Sequence, residues 1–201
     1  CLPGVYVAPG LHPVYAEQWS SAAAEQLREL TRESQVVAIG EIGLDAVVGP
    51  SLEAQEIVFR TQLEIALDAD LPVTLHCRKT TGRVIAILHE LAIGERIGGI
   101  WHGFSGSVQI AQDLVRLGFK IGVGPILLRE SARKLPRAVL ELPEDALVLE
   151  TDAPDMIEKP EGLIRVAEKL AELKGWTLGK TMQVTGDNAR QLFKMSNHEK
   201  V

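Results

Sequence analysis

The chain has 201 residues, 46% of them hydrophobic and 24% charged, with a formal net charge of −6 at pH 7. This is the composition of an ordinary globular domain with a sizeable core, and its negative balance excludes a broad nucleic-acid-coating surface, which needs dense Lys and Arg. No apolar stretch approaches the roughly 18 residues of a transmembrane helix. Two cysteines, Cys1 and Cys77, make no disulfide framework, so no membrane partner and a reducing, cytoplasmic setting are expected.

In chain order, strands are predicted at Val5 to Ala8, Val36 to Gly40, Pro72 to His76, Gly99 to His102, Phe119 to Val123 and Leu147 to Thr151. Helical patterns lie between them. Ser20 to Glu33 is rich in Ala, Glu and Leu; Ser51 to Asp70 follows Pro50 with a capping serine and carries Leu52, Phe59, Leu63 and Ala66 on one stripe. Gly106 to Leu117 stops at Gly118, with Ser105 expected as its N-cap. Arg129 to Leu142 is interrupted by Pro136 and predicts two short helices or a kink. Leu163 to Lys174 stops at Gly175, Leu178 to Met195 makes a last helix, and Asn197 to Val201 reads as a frayed tail.

Strict strand–helix alternation favours a parallel sheet with right-handed crossovers. Four of the strands end in, or just before, a potential metal ligand: Glu41, His76, His102 and Asp152. Taken singly, each is more often a hydrogen-bonded core group or a loop carboxylate. Recurrence at one end of successive strands argues instead for a shared rim, where α/β barrels keep their chemistry. Two imidazoles and two carboxylates there suit a divalent cation such as Zn²⁺, Mn²⁺ or Mg²⁺.

Glu41 to His76 and His76 to His102 are each one strand–helix unit, and His102 to Asp152 is two. An open doubly wound sheet gathers ligands near one switch point, not from four strands. Six strands where a closed barrel needs eight, and a first residue that is not Met, lead to one expectation. It is a single, N-terminally incomplete hydrolase domain over residues 1–201, a distorted (β/α)8 TIM barrel lacking its first two strand–helix units. Positive charge is concentrated locally in Arg78-Lys79 with Arg83 and in Arg129, Arg133, Lys134 and Arg137. The second cluster reads equally well as a phosphate-facing rim or a solvated helix face. Trp19, Trp101 and Trp176 read as packing residues.

Several segments resemble one family. Gly10-Leu11-His12-Pro13, Gly40-Glu41-Ile42-Gly43-Leu44-Asp45, Leu75-His76-Cys77-Arg78, His102-Gly103-Phe104-Ser105-Gly106, Glu150-Thr151-Asp152-Ala153-Pro154 and Asn188-Ala189-Arg190-Gln191-Leu192-Phe193 are similar, in the family's order, to motifs of TatD-type metal-dependent deoxyribonucleases, in their YjjV-like branch. The resemblance implies a distorted barrel of the amidohydrolase superfamily with one or two divalent metal ions. Glu41 would bridge two metals, and His76 and His102 would ligate one of them. Asp152 would hold a metal and the attacking water and take its proton, while His12 and Arg78 would lie near the scissile phosphate. The family's His-x-His pair is not present, and the chain passes quickly through Ile157-Glu158-Lys159-Pro160 where the family has a longer loop.

The expected activity is hydrolysis of phosphodiester bonds in DNA, exonuclease-like, by metal-activated water, with Asp152, Glu41 and Arg78 carrying it. RNA is a further candidate substrate. The alternatives are a metal-dependent ester hydrolase acting on aminoacyl-tRNA, or a catalytically incomplete binding module.

Overall fold

The computed structural model describes residues 4–195, which divide into two compact units, one running to Ile100 and rejoined by residues from Phe193 onward, the other Trp101–Leu192. The expected tail from Asn197 to Val201 lies outside the described residues.

In the first unit, α1 (Ser21–Leu30) is followed by β1 (Ile39–Asp45), α2 (Leu52–Asp68), β2 (Val73–Arg78), α3 (Thr81–Glu90) and α4 (Ile93–Arg96). Strand β3 (Gly99–Trp101) carries the boundary. Strands β1 and β2 pair in parallel from Ile39 opposite Val73 to Asp45 opposite Arg78, with an irregularity between Ile39 and Ile42. The predicted strand at Val36 to Gly40 therefore starts later and runs further, so Glu41 lies inside a strand instead of at its end. The cause is tertiary: β2 continues to supply partners past the glycines that interrupt the apolar pattern of β1. The predicted strand at Val5 to Ala8 shrinks to one parallel bridge between Val7 and Val36.

Helix α2 packs on β1 through the buried stripe Phe59, Leu63 and Ala66, while Leu52 at its start is exposed. Ile42, Leu44, Val73, Leu75, Val84 and Ile87 complete a core with essentially no solvent exposure, each large side chain contributing about 1.5–3 kcal/mol.

The second unit comprises α5 (Val108–Arg116), β4 (Phe119–Val123), α6 (Lys134–Glu141), β5 (Leu147–Leu149), α7 (Leu163–Lys174) and α8 (Leu178–Leu192). Strands β4 and β5 are parallel, Ile121 facing Leu147 and Val123 facing Leu149. Leu114, Phe119, Ile121, Leu135, Val139, Leu147, Val166 and Leu170 are its buried core.

Two capping expectations change. Helix α5 begins two residues late, capped by Ser107, whose hydroxyl accepts from the Ile110 N–H at 3.4 Å, and not by Ser105. Pro136 does not break α6; it is the helix's third residue, within the first turn, where an N–H has no intrahelical acceptor to lose. Trp101 is buried as expected, whereas the Trp176 ring lies under the ammonium groups of Lys174 and Lys180, 5.4 and 4.6 Å from its centre. No helix among the described residues is long and apolar enough to cross a membrane.

Candidate metal centre

In the first unit, α2 acts as a ruler for the site. Gln55 and Gln62, seven residues apart, fall on one face of the helix, and both are buried. Gln62 accepts from the Leu11 N–H at 2.6 Å and donates to the Leu11 carbonyl at 3.0 Å, fixing the segment that carries His12. Gln55 accepts from the Asp45 N–H at 2.8 Å and donates to the carbonyls of Asp45 and Pro50 at 2.9 and 2.8 Å. The backbone around Gly10 meets that of Gly40 so closely that a Cβ on Gly10 would stand 2.9 Å from the Gly40 carbonyl. Glycine at position 10 lets this segment lie against β1 and brings residue 12 beside residue 41, while Gly40 gives the same close approach to Thr74 of β2.

The result is a cluster of His12, Glu41 and His76, with one ligand atom from each lying within 4.8 Å of the others. The rings of His12 and His76 meet edge to face, centres 4.3 Å apart, and His12 Nε2 is 3.7 Å from Glu41 Oε2. His76 donates from Nε2 to Asp45 Oδ2 at 3.0 Å, which assigns any ligand role to its Nδ1. Asp45 is nearly inaccessible, and its other oxygen accepts from Val47 and Val48 N–H at 2.7 and 3.0 Å. Burial pushes this carboxyl's pKa up, but the two N–H groups and the His76 ring outweigh it and hold the group below its ordinary value. A carboxylate fixed behind a histidine is the usual support for a metal-ligating imidazole.

His12 is held differently. The Val14 N–H donates to its Nδ1 at 3.4 Å, at the start of the 3-10 turn Pro13–Gln18. In the neutral ring this leaves the proton on Nε2, which suits a donor to an anion better than a metal ligand. Arg78 ends β2 and is exposed; among the described residues its guanidinium pairs with no carboxylate. Arg83, from the same basic cluster, pairs instead with Glu56 at 2.6 Å.

In the second unit, His102 follows β3 and donates from Nδ1 to Glu150 Oε2 at 2.8 Å; the Gly103 N–H donates to Glu150 Oε1 at 2.8 Å. Glu150 is placed by its own N–H, which continues the ladder past β5 to the Val123 carbonyl at 3.1 Å. The carboxylate then lies against Gly122 and Gly124, where any Cβ would collide with it. With Nδ1 committed, His102 presents Nε2 to Asp152 Oδ1 at 3.4 Å. Two ligands on one tetrahedral Zn²⁺ with bonds of about 2.1 Å stand about 3.4 Å apart, so this pair is spaced to share an ion. Asp152 has φ of 54°, a left-handed conformation that aspartate tolerates better than most residues. Thr151 Oγ1 and the Asp152 carbonyl accept from Ala153 and Met156 N–H at 3.3 and 2.9 Å and fix that turn.

The donor chemistry fits a divalent cation. In the first cluster the Glu41 and His76 ligand atoms lie within 4.8 Å of each other, near enough for modest side-chain movements to bring them to the spacing of about 3.4 Å that one tetrahedral ion requires. The structure brings together Glu41, His76 and His12 in one unit, and His102 and Asp152 in the other. Asp45, Glu150, Gln55 and Gln62 were not singled out as site residues from sequence. Two glutamines at i and i+7 on an apolar helix face, and a Gly-x-Gly at the end of a strand, are the available signals.

A family model described as TatD related DNase matches residues 2–194. The metal-dependent hydrolase YabD of Bacillus subtilis is 35% identical, the match covering 96% of this chain and 78% of YabD. A 3′-5′ ssDNA/RNA exonuclease TatD of Edwardsiella piscicida is also 35% identical, over 95% of this chain and 78% of that protein. The crystal structure of YjjV, the TatD homologue of Escherichia coli, superimposes with a TM-score of 0.88 at 38% identity, covering 95% of this chain and 77% of that one.

Proposed function

The chain belongs to the TatD family of metal-dependent hydrolases, whose α/β, TIM-barrel type of fold it shares, and from that premise we propose that it hydrolyses phosphodiester bonds in single-stranded nucleic acid, DNA foremost, in the manner of an exonuclease. The observation that carries the reading is the repeated histidine–carboxylate anchoring, Asp45 behind His76 and Glu150 behind His102. A buried core histidine needs one hydrogen-bond partner. Here each ring commits one nitrogen and is accompanied by a further carboxylate of its own unit, Glu41 or Asp152.

The proposal assigns metal ligation to Glu41, His76, His102 and Asp152, for one or two divalent ions. A bound cation would supply Lewis acidity, offsetting phosphate charge and lowering the pKa of a water toward about 7. Asp152 accepts the proton of the attacking water. Arg78 donates two parallel N–H bonds to the phosphate, the geometry at which guanidinium excels. His12, protonated on Nε2, donates to a further phosphate oxygen. The relative named as an ssDNA/RNA exonuclease suggests nucleic acid as the substrate class, and the exposed guanidinium at the end of β2 agrees with an anionic substrate.

The test is cleavage of single-stranded DNA by the purified chain with Mn²⁺, Mg²⁺ or Zn²⁺, before and after chelation. Asp152→Asn is expected to lower the rate by about 10³-fold, within the 10²–10⁴ range of a positioned proton acceptor and beyond it if ligation fails too. Cleavage that survives both chelator and Asp152→Asn would refute the reading.

A further inference from the structure

The basic cluster at Arg129, Arg133 and Lys134 has no part in the metal chemistry, yet it brackets one feature of the second unit. Two open clefts flank the 3-10 turn Pro125–Leu128. One, of about 290 Å³, is lined by Ser105, Ser131, Arg133 and Lys134. The other, of about 380 Å³, is lined by Leu128, Arg129, Asp155, Met156 and Arg165. Each cleft includes a residue three positions after a proposed ligand: Ser105 after His102, and Asp155 after Asp152.

The charges here are not neutralised. Arg129, Lys134 and Arg165 are exposed, and among the described residues none is paired with a carboxylate, Asp155 included. The Arg133 guanidinium donates to the carbonyls of Glu130 and Ala132, which steadies it and leaves its charge in place. By contrast, Arg116, Lys169, Lys180 and Arg190 on the helices of the same unit each face a neighbouring carboxylate. In a chain of net charge −6, cations concentrated in this way on two adjoining clefts favour an anion there. The cleft volumes stand near the lower end of the roughly 300–1,000 Å³ typical of ligand pockets, room for one phosphate and its sugar, not for a bulky ligand. Leu128 and Met156, half-buried, offer an apolar floor beside the arginines.

We propose that these two clefts form a phosphate track for a single-stranded nucleic acid, Arg129 and Arg165 gripping one backbone phosphate and Arg133 with Lys134 another, away from the bond that is cut. The track deepens the nuclease reading and rests on it. It makes a strand of several nucleotides a better ligand than a single nucleotide, because only a chain reaches the second phosphate position.

The experiment uses the full chain carrying Asp152→Asn, loaded with Mn²⁺, and follows the anisotropy of a labelled single-stranded oligonucleotide of about twelve residues between about 50 and 200 mM salt. Replacing Arg129, Lys134 and Arg165 together by Gln is expected to weaken binding tenfold or more and to reduce the salt slope by about 0.7 or more, the share of the single-strand phosphate that Arg129 and Arg165 no longer neutralise while Arg133 alone remains on the other. Lys169→Gln, outside the clefts, is expected to change neither. All three replaced side chains are exposed, so folding is not at stake. The track is overturned if the triple variant keeps the affinity and slope of its parent, or if a mononucleotide binds the parent as tightly as the oligonucleotide does. Failure of the unsubstituted chain to cleave DNA would refute the nuclease reading instead, and leaves the binding result to judge the track by itself.

Discussion

His76 in the first unit and His102 in the second are both anchored by an acid, but through opposite ring nitrogens. His76 gives Nε2 to Asp45 and keeps Nδ1 for a ligand role; His102 gives Nδ1 to Glu150 and keeps Nε2. The anchors also differ in what else they hold. Asp45 ties down the Val47–Val48 backbone and is clamped by Gln55, so it organises a loop as well as a ring. Glu150 spends both oxygens on residues 102 and 103 and owes its position to two glycines, one in β4 and one just beyond it. One anchor belongs to the core of its unit; the other is an insert in a slot. The same chemical requirement, an imidazole fixed in one tautomer, is met by a hydrogen-bonded loop in one case and by absent side chains in the other.

The glycines test this contrast most strongly. A Cβ on Gly43, at φ of 149°, would strike the backbone carbonyl of His76, which has no freedom to withdraw. Gly43→Ala is expected to lower the melting temperature by about 10 °C or more, since overpacking costs about 1–3 kcal/mol before backbone strain is added and each kcal/mol moves the Tm by about 2–4 °C at this size. A Cβ on Gly122 instead meets first the end of the Glu150 side chain, which can swing aside, and then the Trp101 carbonyl at 2.9 Å, less closely than Gly43 meets its carbonyl. The expected cost of Gly122→Ala is smaller, about 3–6 °C, accompanied by weakened metal binding. Equal melting temperatures for the two variants would erase the distinction.

Next come the anchors themselves. Asp45→Asn and Glu150→Gln are each expected to weaken metal affinity about 10- to 100-fold, the usual effect of removing a carboxylate behind a metal-bound histidine. Only Asp45→Asn should also destabilise the apo protein, by about 1–3 kcal/mol, because a neutral amide oxygen accepts from the Val47 and Val48 N–H groups more weakly than the buried carboxylate does. Isothermal titration with metal and thermal melts of the apo proteins separate the two effects. A Glu150→Gln variant as unstable as Asp45→Asn would show that the slot is part of the core after all.

The smallest effect comes from an acid with no site role. Glu56 lies between Arg83 and Arg60 at 2.6 and 2.8 Å. The Arg83 guanidinium, against burial and with help from Arg60, holds its carboxyl below the ordinary range. A folded-state pKa depressed in this way contributes stability above the unfolded value of about 4.3, and that contribution disappears as pH falls through the folded one. Glu56→Gln should therefore lower the Tm by about 1–3 °C at neutral pH, as expected of an ion pair at a part-exposed surface, with the gap closing below about pH 4. A gap that persists in acid would mean Glu56 acts through packing, not charge.

Much of this was readable from residues alone. Alternation of apolar runs with 3.6-periodic segments located the parallel strands and the long helices, because both patterns follow from local geometry and burial. The order of Glu41, His76, His102 and Asp152 along those runs, with the motifs around them, marked the candidate ligands and the family. Strand limits were less readable: Glu41 falls inside β1 only because β2 keeps pairing with it to Asp45, a long-range pairing that no local pattern encodes. Pro136 looked like a break and is a first-turn residue, since the start of α6 is set by what it packs against.

Tertiary structure alone chose the anchors. Nothing in the segment Leu44-Asp45-Ala46 says that its acid will meet a ring 31 positions away, or that Glu150 will find its cavity beside Gly122 and Gly124. The order of residues determines which groups a strand can present, because side-chain alternation is a property of the backbone. Which nitrogen of each histidine remains for a metal depends on distances between strands, and those exist only after the sheet has formed.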